Sequence, residues 1–202
     1  IKLGGDITLT DTATGPLIDT TPYIAAFVFD GAGHKIRGLR INATSEASFI
    51  ASNQGIVENL TLEDVAITSS STASVNVAGL VGLNWGSIHR CSVSGTITAT
   101  AVAVDNESGI GGLVGITMVY SKISECYSTA TVSGAYHVGG LVGHSSAGTI
   151  LNCYARGPVD GTTGTITGGL VGTSLSSTYP NIVQNSYTTD AVSGRLIGVN
   201  SG

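Results

Sequence analysis

Gly79-Leu80-Val81-Gly82 returns as Gly112-Leu113-Val114-Gly115, Gly140-Leu141-Val142-Gly143 and Gly169-Leu170-Val171-Gly172. A worn copy follows at Arg195-Leu196-Ile197-Gly198, and a weaker one precedes them at Ser48-Phe49-Ile50-Ala51. The clear copies and the worn one start at residues 79, 112, 140, 169 and 195, a period of 26–33 residues. A unit of that length cannot bury its apolar face alone, so it must stack on its neighbours as a solenoid.

A second element travels with the first. Downstream of each copy stand an apolar residue, two variable ones and a small one: Ile88…Cys91, Ile123…Cys126, Ile150…Cys153 and Val183…Ser186, with Val57…Leu60 and Ile36…Leu39 at the same spacing earlier. Two residues past the small one come Val93, Ser128, Ala155 and Thr188; six past it come Ile97, Val132, Val159 and Val192. Even offsets keep side chains on one face of a strand, so these positions should face inward together. The three-residue step from Ile88 to Cys91 is odd and requires a bend or bulge if both are buried.

Hairpins would need a self-complementary pair of strands in every unit. Here the same residue types return at the same register, as in-register parallel stacking demands. No stretch of a dozen residues carries a helical apolar pattern, and Gly interrupts throughout. The expectation is an all-β, single-stranded parallel β-helix solenoid of about six coils, right-handed by the preference of parallel crossovers. The Leu80/Leu113/Leu141/Leu170/Leu196 and Cys91/Cys126/Cys153/Ser186 columns should both be buried. Residues 1–26 read as a capping segment and 27–202 as the repeats. The repeat stops midway at Gly198-Val199-Asn200-Ser201-Gly202, as expected of a piece of a longer polypeptide. Asn53, Asn84 and Asn200 suit sharp turns with positive φ, and the long unit places a loop over Ala101–Ser108.

Of the 202 residues only 10% are charged, and mean hydropathy is positive. That balance excludes disorder. A net charge of −5 with scattered Lys and Arg leaves no footprint for nucleic acid. The longest apolar run, Ile24 to Phe29, is far short of the roughly 20 residues of a membrane helix. Three cysteines cannot form a complete set of internal disulfides. They share one register and read as an inert core column of small residues, with no His beside them to complete a metal site.

The residue after the small one points outward and reads Thr61, Ser92, Tyr127, Tyr154, Tyr187. Tyr127, Tyr154 and Tyr187 are the candidate binding residues, since an exposed aromatic strip can stack on sugar rings. The competing reading is a lateral stack that shields the coil. Adjacent Glu63 and Asp64 should face opposite ways on a strand, and Asp105 with Glu107 could hold a hard cation in a loop. His34, His89, His137 and His144 occupy different registers, and the seven-residue step from His137 to His144 puts them on opposite faces of a continuous strand. Thr-x-Thr pairs at 96, 129 and 165 start five, three and twelve residues past their cysteines, so they do not form the ladder an ice-binding face requires. No triad, zinc helix or phosphate loop is present, so no catalytic residue and no cofactor is expected.

Gly-Gly-Leu-Val-Gly, the turn Asn84-Trp85-Gly86-Ser87-Ile88, and Cys126-Tyr127-Ser128 or Cys153-Tyr154 before a Val strand together resemble the GLUG-motif repeat. Phe29-Asp30-Gly31-Ala32-Gly33-His34-Lys35-Ile36 resembles the lead-in often found before it. The resemblance covers residues 27–202, departing at Ser186 and Arg195. It implies a secreted or surface-attached bacterial protein, of the kind that includes adhesins and the non-catalytic parts of immunoglobulin A peptidases. A structural stalk or spacer is the first expectation, with a glycan or surface protein as candidate partner of the tyrosines. A filament segment stacking end to end, and an ice-binding or polysaccharide-active β-helix, are the alternatives.

Overall fold

The computed structural model describes residues 1–19, 27–100, 108–162, 166–176, 178–189 and 195–201, and every regular element in them is a β-strand. One turn of the chain shows the plan. Val81–Asn84 lies in the wall named here for the Gly-Leu-Val-Gly phrase, Ser87–His89 in a short wall, and Ser92–Ala99 in a long wall. Gly109–Gly111 forms a flap, and Val114–Thr117 re-enters the Gly-Leu-Val-Gly wall one turn on. Stacked, these walls are sheets of six, six, eleven and four strands. All pairing is parallel and in register: Val81↔Val114, Ile88↔Ile123, Ser92↔Tyr127 and Ile110↔Val138. The molecule is a parallel β-solenoid of about six turns, six strands deep in two of its walls. Residues of the opening segment join it, with Ile7 pairing Ile36 and Thr12 pairing Arg40.

Leu and Val are adjacent in the repeat, yet Leu80, Leu113, Leu141, Leu170 and Val81, Val114, Val142, Val171 are all fully buried. The chain turns a corner between them, so both point inward. At that corner one carbonyl serves two donors. Leu141 O accepts from Leu113 N at 2.9 Å and Val114 N at 3.0 Å, and Leu170 O does the same for Leu141 and Val142. The second glycine of the phrase sits where neighbouring turns nearly touch: a Cβ on Gly172 would lie 2.6 Å from Gly143 O and 2.8 Å from the carbonyl carbon of Val138 in the flap. The flap lies against this wall backbone to backbone, and only glycine fits there.

The bend required between Ile88 and Cys91 is a single left-handed residue. Asn59, Arg90, Glu125, Asn152 and Asn185 have φ of 54°, 50°, 53°, 53° and 50°. Each stands just before the small residue and rotates it back to the core, leaving Ile88 and Cys91 both buried. This conformation costs about 1 kcal/mol for a residue with a Cβ. Arg90 and Glu125 lie one above the other and form an ion pair at 3.2 Å.

That corner explains the small residue. Cys91 N donates to Cys126 Sγ at 3.4 Å, and Cys153 N donates to Ser186 Oγ at 3.1 Å. Each side chain donates in turn to a carbonyl two residues back: Cys126 to Ser124, Cys153 to Leu151 and Ser186 to Gln184. A thiol or hydroxyl closes the backbone ladder where the corner interrupts it, so hydrogen bonding as well as size selects this position.

Several expectations are corrected. Asn53 and Asn84 are buried strand residues without positive φ, and Asn200 continues the strand Ile197–Ser201. The first two form a polar column, with Asn53 Nδ2 donating to Asn84 Oδ1 at 2.8 Å. Ile36 pairs Leu62 in the long wall, so its spacing to Leu39 does not match that of Ile88 to Cys91. Leu196 is 38% exposed and Ser186 is half-buried, both on the last of the described turns. Val192 and positions 101–107 of the long loop fall outside the described residues.

Candidate functional site

Register places Tyr127, Tyr154 and Tyr187 on the long wall in three successive turns. Their rings stack at 4.8 Å and 3°, then 5.3 Å and 14°. Arg156 Cζ lies 4.9 Å from the Tyr154 centroid, and its Nη2 donates to the Tyr187 hydroxyl at 2.9 Å. Burial, then the neighbouring Tyr127, push the Tyr154 phenol above its ordinary value. Both faces of Tyr154 are covered by its neighbours, so the column offers solvent its ring rims and hydroxyls. A ligand here would meet edges, which suits hydrogen bonding better than flat stacking.

A second aromatic group occupies the corner between the Gly-Leu-Val-Gly wall and the short wall. Trp85, Tyr120 and Tyr179 stand there, 39%, 78% and 46% exposed. Tyr120 and Tyr179 come from turns that are two apart, yet their ring centroids lie 5.2 Å from one another at 57°. A hydrogen bond between them raises the Tyr120 phenol above its ordinary value. Sequence reading passed over this group because its corners differ in length: 85–86, 118–121, 146–148 and 176–181 separate the flanking strands. The usable signal was topological, since each of the three follows a Gly-Leu-Val-Gly strand and precedes the next strand of the short wall.

Glu63 and Asp64 both face solvent. Asp64 has φ 56° and occupies the bulge where Val93 pairs Leu62 but Gly95 pairs Val65, so it does not turn inward. Glu63 binds Lys35 at 3.2 Å and Arg37 at 2.7 Å, and Asp64 binds Arg40 at 2.7 Å. Arg37, first, holds the Glu63 carboxyl below its ordinary range. These carboxylates are engaged in cross-turn pairing.

His137 and His144 meet, contrary to the continuous-strand expectation. Left-handed Tyr136 and His137 and the corner at Leu141 break the strand, and the two buried rings lie 5.1 Å apart, edge to face. His137 Nδ1 is 3.1 Å from Ser108 O. The Thr129–Thr131 pair stands two residues out of step with Thr96–Thr98, as the offsets implied: Thr96 lies opposite Thr131 and Thr98 opposite Ser133. The double row is two turns deep: on the turn before, Ala66 lies opposite Thr96, and on the turn after, Asp160 lies opposite Ser133. That is too small for an ice-matching face. Among the described residues no group of three His, Cys, Asp or Glu side chains could hold a metal ion. Asp105 and Glu107 lie outside them. The cysteines are free and buried, and burial raises the Cys126 thiol far above its ordinary value.

No helix among the described residues is long and apolar enough to cross a membrane. Residues 69–98, 106–133 and 134–160 match the model of the GLUG motif. Over 120 residues, 56% of this chain, the sequence is 38% identical to halomucin of Haloquadratum walsbyi (strain DSM 16790 / HBSQ001), and it spans 1% of that protein's length. A crystal structure from Bacteroides ovatus that carries the name of an immunoglobulin A1 protease superposes with a TM-score of 0.59 at 18% identity, over 99% of this chain and 73% of that one. At that identity the likeness is one of fold. The three matched segments are turns whose corner glycines, leucines and cysteines build the solenoid, and over residues 69–160 the chain carries GLUG-motif repeats.

Proposed function

We propose that this chain is a stalk or spacer segment of a secreted or surface-attached protein of the adhesin type, without catalytic activity of its own. The observation that carries the reading is the division of labour between inside and outside. Leucine, valine and cysteine columns repeat turn after turn within, while the exterior changes from charges to hydroxyls to tyrosines. Such a body extends by adding turns without altering its core. The match to halomucin, which covers only 1% of that protein's length, supports reading the chain as one segment of a long array. Ligand binding by Tyr127, Tyr154 and Tyr187 to a glycan or surface protein is the secondary role in this reading, with end-to-end association as a further means of lengthening the rod.

The test is a glycan and surface-protein binding screen of the chain beside its Tyr127→Ala/Tyr154→Ala/Tyr187→Ala variant, with small-angle scattering on both. The expected result is an elongated particle, with any ligand of the tyrosine column lost in the variant. Turnover of a glycan or peptide, abolished by changing a single residue, would overturn the non-catalytic reading.

A further inference from the structure

The corner bearing Trp85, Tyr120 and Tyr179 is unlike the rest of the surface. Tyr120 is the most exposed large apolar side chain in the described structure, at 78%. It is also held at φ 64°, where a bulky residue is strained. Burial recovers little of that cost. Tyr179 reaches toward it from two turns on, across the short corner of residues 146–148, where Ala147 is buried. Trp85 stands on the turn before Tyr120, so the three come from the first, second and fourth of four successive turns, whose backbones span roughly 14 Å along the axis.

The corner also lacks charge. None of residues 53–55, 84–86, 117–121, 145–148 and 174–181 is Asp, Glu, Lys, Arg or His; Lys122 follows directly after the Tyr120 corner. A neutral row of aromatic rings with phenol hydroxyls and flanking Ser146, Ser176 and Thr178 fits a ligand that alternates apolar C–H faces with hydroxyls. A polyanion would find no cation row there. A row one side chain wide is too small for the ~1,200 Å² or more that a stable protein interface buries. The Tyr120 and Tyr179 rings are tilted at 57°, and Tyr120 is far more exposed than Tyr127 and Tyr187 of the long wall, at 36% and 44%.

We propose that Trp85, Tyr120 and Tyr179 form a binding site for an uncharged pyranose oligosaccharide lying along the solenoid axis. The site goes beyond the spacer reading and stands or falls apart from it.

The test uses the intact chain, titrated separately with cellotriose, chitotriose and maltotriose. Trp85 is the single tryptophan, so its emission reports on this corner alone. A saturable emission change with at least one trisaccharide is expected, and Tyr120→Ala and Tyr179→Ala should each weaken it about tenfold. Tyr120→Phe should keep most of the affinity. Thr98→Ala should bind as the parent does, and the Tyr127→Ala/Tyr154→Ala/Tyr187→Ala variant of the long wall is titrated beside it to tell the two sites apart. Because Tyr120 is exposed, its variants should melt with the parent. No saturable change at millimolar concentration of any of the three sugars would overturn the proposal. So would binding that survives both corner variants, or that is lost only with the long-wall variant. A particle that remains elongated while binding none of the sugars overturns this site and leaves the spacer reading intact.

Discussion

The first turns and the middle turns share one core but solve their surfaces differently. Between residues 1 and 64 the long wall is bound from turn to turn by charge: Asp6, Arg37, Glu63 and Lys35 form one network, with Arg40–Asp64 and Lys2–Asp30 beside it. From residue 92 onward the same wall carries Ser92, Thr96, Thr131 and the tyrosine column. Beneath both, the buried residues are interchangeable in kind: Leu62, Val93, Ser128 and Ala155 occupy one inward row. The difference teaches that the core sets the pitch and that any cross-turn contact compatible with it can dress the outside. Exposed ion pairs add little each, so the middle turns lose nothing essential by dispensing with them.

If the core carries the stability of both regions, its loss must be the largest effect. Leu141→Ala is expected to destabilise by about 3 kcal/mol, since a fully buried leucine leaves a cavity. Chemical denaturation measures it, and a loss below that of any surface change would reverse the comparison. Next comes the corner column. Cys126→Val removes the acceptor of Cys91 N–H and should cost about 1–3 kcal/mol. Cys126→Ser should come close to the parent, as Ser186 already makes the equivalent bonds. Equal losses for the two would show that volume alone matters there. Tyr154→Ala breaks two ring contacts and one cation–π contact, for about 1–2 kcal/mol by thermal melting.

How much of this was legible in the sequence follows from the same contrast. Leu80, Leu113, Leu141 and Leu170 and the cysteines gave away the turns because a repeated interior forces repeated residues. The bend before Cys91 was required by parity, but its location on Arg90 and Glu125 was not, because neither is a residue that favours left-handed backbone. Ile36…Leu39 misled because its spacing imitates the corner while its neighbours obey the long wall. Tyr120 and Tyr179 were invisible as a pair because corners of unequal length hide residues that the stacking brings together. His137 and His144 were separated on paper by a straight strand that the chain does not contain.

The smallest effect sharpens the contrast through pH. The Lys35 backbone N–H and Arg37 hold Asp6 below the ordinary carboxylate range, and Arg37 and Lys35 do the same for Glu63. Their folded pKa values lie below the unfolded ones, so this stabilisation is complete above the unfolded values. It is lost as pH falls through the folded ones. Glu46 runs the other way: burial raises its carboxyl, so its contribution declines as pH rises from its unfolded to its folded value. Acidification below the ordinary carboxylate range should therefore loosen residues 1–64 while the middle turns hold. Hydrogen exchange by segment measures this, and uniform loosening along the chain would show that the two regions are not distinct.

The corner column has a direction. Cys91 N–H is closed by a side chain of the following turn, and Cys153 N–H is closed likewise by Ser186. Neither of these turns completes its own wiring; its successor does. A chain emerging from the ribosome would thus carry one unsealed donor at its growing front, moved forward by each arriving cysteine or serine. Growth in that sense is ratcheted. At Leu60, which supplies neither thiol nor hydroxyl, the preceding turn closes its donors by itself: Ala32 N–H to Asp30 Oδ1 and His34 N–H to Gly31 O, both at 2.8 Å.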